Sequence, residues 1–151
     1  MKRLGLTLAG GAVALVIGAA IVADPIVRPR CVELGNVQTL SIPFGKLARG
    51  TVNFFCFRDR AGNKIRFLLA RDMDGKVQSA FDACSQCYKF GKGFSVSHGE
   101  LICRVCGNHY KLSEIRTGKA SCVPVKLPVS ENRDGMVQVK ASDLRNGRSL
   151  F

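Results

Sequence analysis

Two C-x-x-C pairs, Cys84/Cys87 and Cys103/Cys106, stand fifteen residues apart in "FDACSQCYKFGKGFSVSHGELICRVCGNHYKL", residues 81–112. No other feature of the 151-residue chain limits its fold as tightly. Two intervening residues let both thiolates of a tight turn face one ion, and the hairpin between the pairs can fold one onto the other. The spacing C-x2-C-x15-C-x2-C fits the template for a tetrahedral four-cysteine site. Gly107, directly after the second pair, admits a backbone approach that a side chain would hinder. Two other readings compete. Disulfides suit an exported domain, but a bond inside a C-x-x-C closes a strained ring and normally serves redox chemistry. A thiol–disulfide oxidoreductase of the thioredoxin type needs one such pair beside a βαβ pattern, whereas this chain has two pairs and little helical pattern. Thiolate tetrahedra suit zinc and iron–sulfur alike, so the spacing leaves the metal open.

The start, "MKRLGLTLAGGAVALVIGAAIVADP", predicts a membrane anchor or signal peptide over residues 1–23. Lys2 and Arg3 form its basic end, and Leu4 to Ala23 carries no charge. Twenty residues reach the lower limit for spanning a hydrocarbon core of ~30 Å and exceed a usual signal-peptide apolar region. Small residues near Ala23 leave cleavage open, though Ile21 spoils an A-x-A site. In either case the basic end stays inside and the rest faces outward. This predicts a single pass through the inner membrane with a periplasmic domain, or a periplasmic protein after cleavage. Residues 24–35, with "DPIVRPR", read as a stiff spacer, and 36–151 as one metal-binding domain. Without Lys2 and Arg3 the exported part has 21 basic against 11 acidic residues, a net charge of +10. Aromatics do not interleave with the basic residues, and the compartment excludes nucleic acid. The charge suits anionic lipid headgroups, an acidic partner protein or plain solvation.

Beyond the spacer the texture is β. "TVNFFCFRD" (51–59) and "KIRFLLARD" (64–72) flank the turn "RAGN", and "DMDG" (72–75) leads into "KVQSAFD" (76–82). "GFSVS" and "ELIC" form a hairpin with His98-Gly99 at its tip. "NHYKL" (108–112) and "GMVQVKA" (135–141) are further strands, and "ASDLRNG" (141–147) a turn of helix capped by Ser142. Short strands at this spacing predict a mainly β fold, a small antiparallel sandwich or barrel.

Two resemblances add to this reading. "DGKVQSAFDACSQC" (74–87), "GKGFSVSHGELICRVCGNHY" (91–110), "EIRTGKASCVPVKLP" (114–128) and "VKASDLRNGRSLF" (139–151) resemble the FtrD-like family of membrane-associated iron–sulfur proteins. "ASCVP" replaces that family's usual "GGCNP", and the attached multi-helix region is missing. More distantly, "LICRVCGNHYKLSEIRTGKA" (101–120) looks like the second cluster-binding loop of Rieske proteins, with Cys106 at the histidine position and Tyr110 at the aromatic one. The resemblances imply a Rieske-like β fold whose two loops, 82–90 and 101–112, clamp an iron–sulfur cluster, expected to be [2Fe–2S]. Its ligands would be Cys84, Cys87, Cys103 and Cys106, with Cys122 a candidate additional ligand; Zn2+ is the alternative metal. Rieske centres lie at about −150 to +300 mV and four-thiolate plant-type clusters near about −400 mV. An all-cysteine site is thus expected to be a low-potential centre. The implied function is membrane-anchored, extracytoplasmic electron transfer associated with iron uptake. The expected partner is an acidic redox protein or an iron permease component, docked near Lys89, Lys92 and Arg104. The alternative is a zinc-stapled binding module. No acid–base pair or activated nucleophile is visible, so an electron carrier is expected rather than a substrate-transforming enzyme.

Of the remaining residues, Cys56 reads as a buried core residue, and Cys31 as a partner for Cys56, Cys122 or a second chain. His109 reads as a surface or hydrogen-bonded residue and His98 as a solvated turn tip. Phe94 and Tyr110 are expected to wall the site from water. Asp82 and Ser85 either tune the cluster or shape its turn.

Overall fold

The computed structural model describes residues 28–117 and 122–151. In chain order the strands are β1 (Val32–Leu34), β2 (Thr39–Pro43), β3 (Thr51–Arg58), β4 (Lys64–Arg71), β5 (Val77–Cys84), β6 (Phe94–Ser97), β7 (Glu100–Cys103), β8 (His109–Lys111), β9 (Pro124–Lys126), β10 (Ser130–Glu131) and β11 (Met136–Lys140). Helix α1 (Ala141–Asn146) follows β11. The fold is therefore mainly β. The segment read as an anchor lies outside the described residues. Within them no helix is long and apolar enough to cross a membrane.

A five-stranded sheet in the order β1-β3-β4-β5-β9 divides the molecule. Its period-two alternation assigns each side chain a face. Phe55, Phe57, Ile65, Phe67, Leu69, Phe81 and Ala83 meet Leu40, Ile42, Val137 and Val139 of the sheet β10-β11-β2, with Leu144 of α1 closing the same core. Phe54, Leu68, Ala70, Ala80 and Cys84 point the other way. They pack with Phe94, Leu101, Cys103 and Tyr110 of the sheet β6-β7-β8. Covered on both faces, β5 is buried along all eight residues, which explains why "VQSAFDAC" shows no polar alternation.

The turns follow the local chemistry. At the β6–β7 tip, His98 (φ 50°) and Gly99 (φ 75°) both take left-handed backbone, the conformation that a two-residue hairpin turn demands. Asp59 organises the β3–β4 turn by accepting the N–H groups of Ala61 and Asn63, each at 2.9 Å. Two expectations are corrected. Helix α1 begins at Ala141 with Lys140 at its N-cap and no side-chain cap, so Ser142 lies inside the first turn instead of capping it. Cys56 is fully buried as expected, but it is not a plain core thiol. It is disulfide-bonded to Cys31 with Cα atoms 5.5 Å apart, which fastens β1 parallel to β3.

Phe67 is fully buried and stacks on Phe55 with ring centroids 5.3 Å apart. Phe67→Ala is expected to cost about 3–5 kcal/mol, the range for emptying a buried aromatic position. Urea unfolding followed by circular dichroism measures it. A loss under about 1 kcal/mol would mean that the two sheets do not share this core.

Candidate metal centre

Five sulfurs from three separate stretches converge beside the face of the central sheet that carries Phe54, Leu68 and Cys84. Cys84 ends β5, and Cys87 opens the 3-10 turn Tyr88–Phe90. The Cys87 N–H donates to the Cys84 carbonyl at 3.1 Å, and Phe90 N–H to the Cys87 carbonyl at 3.1 Å. Cys103 ends β7, and the turn after it closes through Gly107 N–H to the Cys103 carbonyl at 2.9 Å. Gly107 has φ 72°, a left-handed backbone that favours glycine. A Cβ there would meet nothing within 4 Å, so the turn's conformation, and not the close approach expected of it, accounts for the glycine. Arg104 joins the two loops: its N–H meets the Gly93 carbonyl at 3.1 Å and its guanidinium the Lys92 carbonyl at 2.9 Å.

Cys122 arrives from the far edge of the sheet. Ser85 N–H donates to the Val123 carbonyl at 2.9 Å, and the Ser85 hydroxyl accepts Val123 N–H at 3.1 Å. The Tyr110 hydroxyl donates to the Cys122 carbonyl at 2.5 Å. Ser85 thus positions the lone cysteine, and Tyr110, edge-on to Phe94 with centroids 6.0 Å apart, backs it with an apolar wall. Burial pushes the Tyr110 hydroxyl up to about 12, so it remains a donor.

The sulfurs of Cys84, Cys87, Cys103 and Cys122 all lie within 4.8 Å of one another. Cys106, exposed at the rim, reaches the Cys122 sulfur at 3.4 Å, and Cys87 reaches it at 3.5 Å. Cys84 and Cys122 are joined as a disulfide. No bond forms inside either C-x-x-C pair. Burial and the neighbouring Cys106 and Cys103 thiols push the Cys87 thiol up to about 11. Burial also raises Cys106, but hydrogen bonds from the Asn108 N–H and from the Cys103 and Cys87 thiols outweigh it and bring Cys106 below its ordinary value. A soft donor set of this density suits iron–sulfur clusters and zinc. Cys84 can serve as a ligand only as a thiolate, with its bond to Cys122 reduced.

Two residues before Cys84 on β5 stands Asp82, whose side chain is fully buried. Alternation along β5 puts it on the same face as Cys84. Its carboxylate accepts Arg66 Nε at 2.8 Å, Arg28 Nη2 at 3.1 Å and the Phe94 N–H at 2.8 Å. Arg66 also reaches the Cys31 sulfur at 3.2 Å and the Pro29 carbonyl at 2.9 Å. From the sequence, Asp82 suits either tuning a cluster or shaping its turn. The contacts make it the tie between β5, the start of β6 and the spacer. Of the two histidines, His109 bonds Glu100 at 2.9 Å and His98 bonds Ser97 at 2.8 Å.

A Cβ on Gly93 (φ 65°) would come within 2.4 Å of the Asp82 carboxylate, whereas one on Gly62 (φ 84°) meets nothing within 4 Å. Gly62→Ala should lose only the left-handed backbone cost, roughly 1–2 kcal/mol. Gly93→Ala should lose clearly more in urea unfolding, because the carboxylate must move off its arginines. Equal losses would show that Asp82 is not held where the structure has it.

A family model described as "Membrane iron-sulfur containing protein FtrD-like" matches residues 47–151, a stretch that holds all five converging cysteines. No curated protein matches the chain, and no solved structure does. The donor set and this match agree on the kind of centre the cysteines serve, and the chain belongs to the FtrD-like family of membrane iron–sulfur proteins.

Proposed function

We propose that the protein is a membrane-anchored, extracytoplasmic electron carrier, serving iron uptake, in which Cys84, Cys87, Cys103 and Cys106 hold a [2Fe–2S] cluster. The observation that carries this reading is the convergence of both C-x-x-C pairs on one site under a buried, apolar wall. A cluster held by four thiolates supplies a one-electron centre near the about −400 mV of plant-type ferredoxins. The two clamping loops beside a β sheet support a Rieske-like arrangement in which cysteines replace the histidines. The basic start of the chain supports placing the domain outside the membrane, and the Cys31–Cys56 disulfide suits an oxidising compartment.

The protein's own residues set access. Phe94, Tyr110 and Leu101 close the inner side of the sulfur site. Cys106 faces outward, and the two loops expose Tyr88, Phe90 and Val105. Lys89 and Arg104 belong to the same loops, and Lys92 follows the first of them. An apolar patch with a basic rim suits brief docking of an acidic redox partner, whose approach the charge steers.

Cys122 is the fifth sulfur of the group and a candidate additional ligand. The ligand assignment is tested by iron analysis of protein purified anaerobically with a thiol reductant. Cys84→Ser, Cys87→Ser, Cys103→Ser and Cys106→Ser should each abolish bound iron, and Cys122→Ser should retain it. Iron retained by Cys106→Ser and lost by Cys122→Ser would move the fourth ligand to Cys122. Stoichiometric zinc in place of iron would replace the electron carrier with a zinc-stapled module.

A further inference from the structure

The opposite face of the central sheet carries a feature that the metal centre does not use. A cleft of about 680 Å3 opens between the β3–β4 turn, the segment entering β2, and α1. Four cationic side chains line it, Arg60, Lys140, Arg145 and Arg148, together with one carboxylate, Asp59. That carboxylate is already engaged. It accepts the N–H groups of Ala61 and Asn63 and the Asn63 side-chain amide, each at 2.9 Å, and meets Arg148 at 3.0 Å. Among the described residues, Arg60, Lys140 and Arg145 have no ion-pair partner. The cleft lining therefore carries an excess of three positive charges that no described residue neutralises.

Cations on a convex surface spread apart and are screened by solvent. Here segments distant in sequence bring them to one concavity, where low-dielectric walls focus the field. We propose that this cleft binds a small soluble polyanion, a molecule bearing two or more phosphate or carboxylate groups. A monoanion would leave most of the excess charge uncompensated. The volume lies within the roughly 300–1,000 Å3 usual for small-molecule sites, larger than a single phosphate needs. Arginine guanidinium groups match phosphate and carboxylate oxygens bidentately, and Gln38 and Ser142 on the same walls add neutral donors. A concave site fits a compact soluble anion better than the flat face of a bilayer.

Isothermal titration calorimetry of the full chain in neutral detergent tests this, with inorganic pyrophosphate and citrate as probes and acetate as the monoanion. Saturable one-to-one binding of a polyanion is expected, with acetate at least about tenfold weaker. Arg60→Glu and Arg145→Glu, both at exposed positions, should each weaken binding about tenfold or more, the scale of one lost charge-assisted hydrogen bond. Arg133→Glu, in the β10–β11 turn outside the cleft, should leave it unchanged. Iron content and circular dichroism should stay as in the unaltered chain, so lost binding is not lost folding. Equal weakening by Arg133→Glu would overturn the proposal in favour of diffuse surface charge. So would absence of binding by both polyanions, or association with vesicles of anionic phospholipid in place of either probe. Failure here would leave the iron–sulfur reading untouched, because the cleft and the cysteines lie on different faces.

Discussion

Burying a carboxylate without partners is costly, and Asp82 offsets that cost by gathering two arginines and a backbone N–H. Those partners come from β4, from the spacer and from the start of β6. Satisfying one group therefore sets where the first C-x-x-C loop leaves β5 and where the sheet β6-β7-β8 begins. Gly93 is required because nothing larger fits against the carboxylate. The arrangement also runs outward: Arg66 bridges Asp82 to the Cys31–Cys56 pair and the Pro29 carbonyl. The spacer is thus tied to β4 and β5 by specific contacts.

The central sheet separates two chemistries. One face presents apolar walls and soft sulfur donors, and the other presents aromatic packing bordered by a basic cleft. The division follows from strand periodicity alone. In "FDAC", Phe81 and Ala83 enter one core while Asp82 and Cys84 enter the other. A one-residue slip of β5 would exchange the two sets and dismantle both sides together. Register is held by five consecutive pairings with β4, from Phe67 with Phe81 to Arg71 with Val77.

Much of this was legible in the sequence because it is local. The C-x-x-C turns, the hairpin tip at His98-Gly99 and the turns at residues 60–63 and 72–75 depend on neighbours a few positions away. What escaped depends on pairing across the chain. β1 and β9 are three residues each, too short to show alternation, and exist because β3 and β5 offer edges. Cys122 is central to the sulfur group only because β9 docks on β5, with Cys84 opposite Pro124. The spacing of the two C-x-x-C pairs carries no trace of that docking. The role of Asp82 is not legible locally, since its arginines lie 16 and 54 residues away. The cleft draws on residues near 38, 60 and 145, a combination that no contiguous motif signals. Charge count showed that the protein is basic, and the fold decides where that charge is concentrated.

The account centres on thiolates from both loops closing around one redox-active iron–sulfur centre. Electron paramagnetic resonance of the full chain, purified without oxygen and reduced with dithionite, addresses this directly. The account predicts a half-integer-spin signal from one reduced [2Fe–2S] centre per chain, absent before reduction. A protein silent in both states and carrying one zinc ion would contradict it.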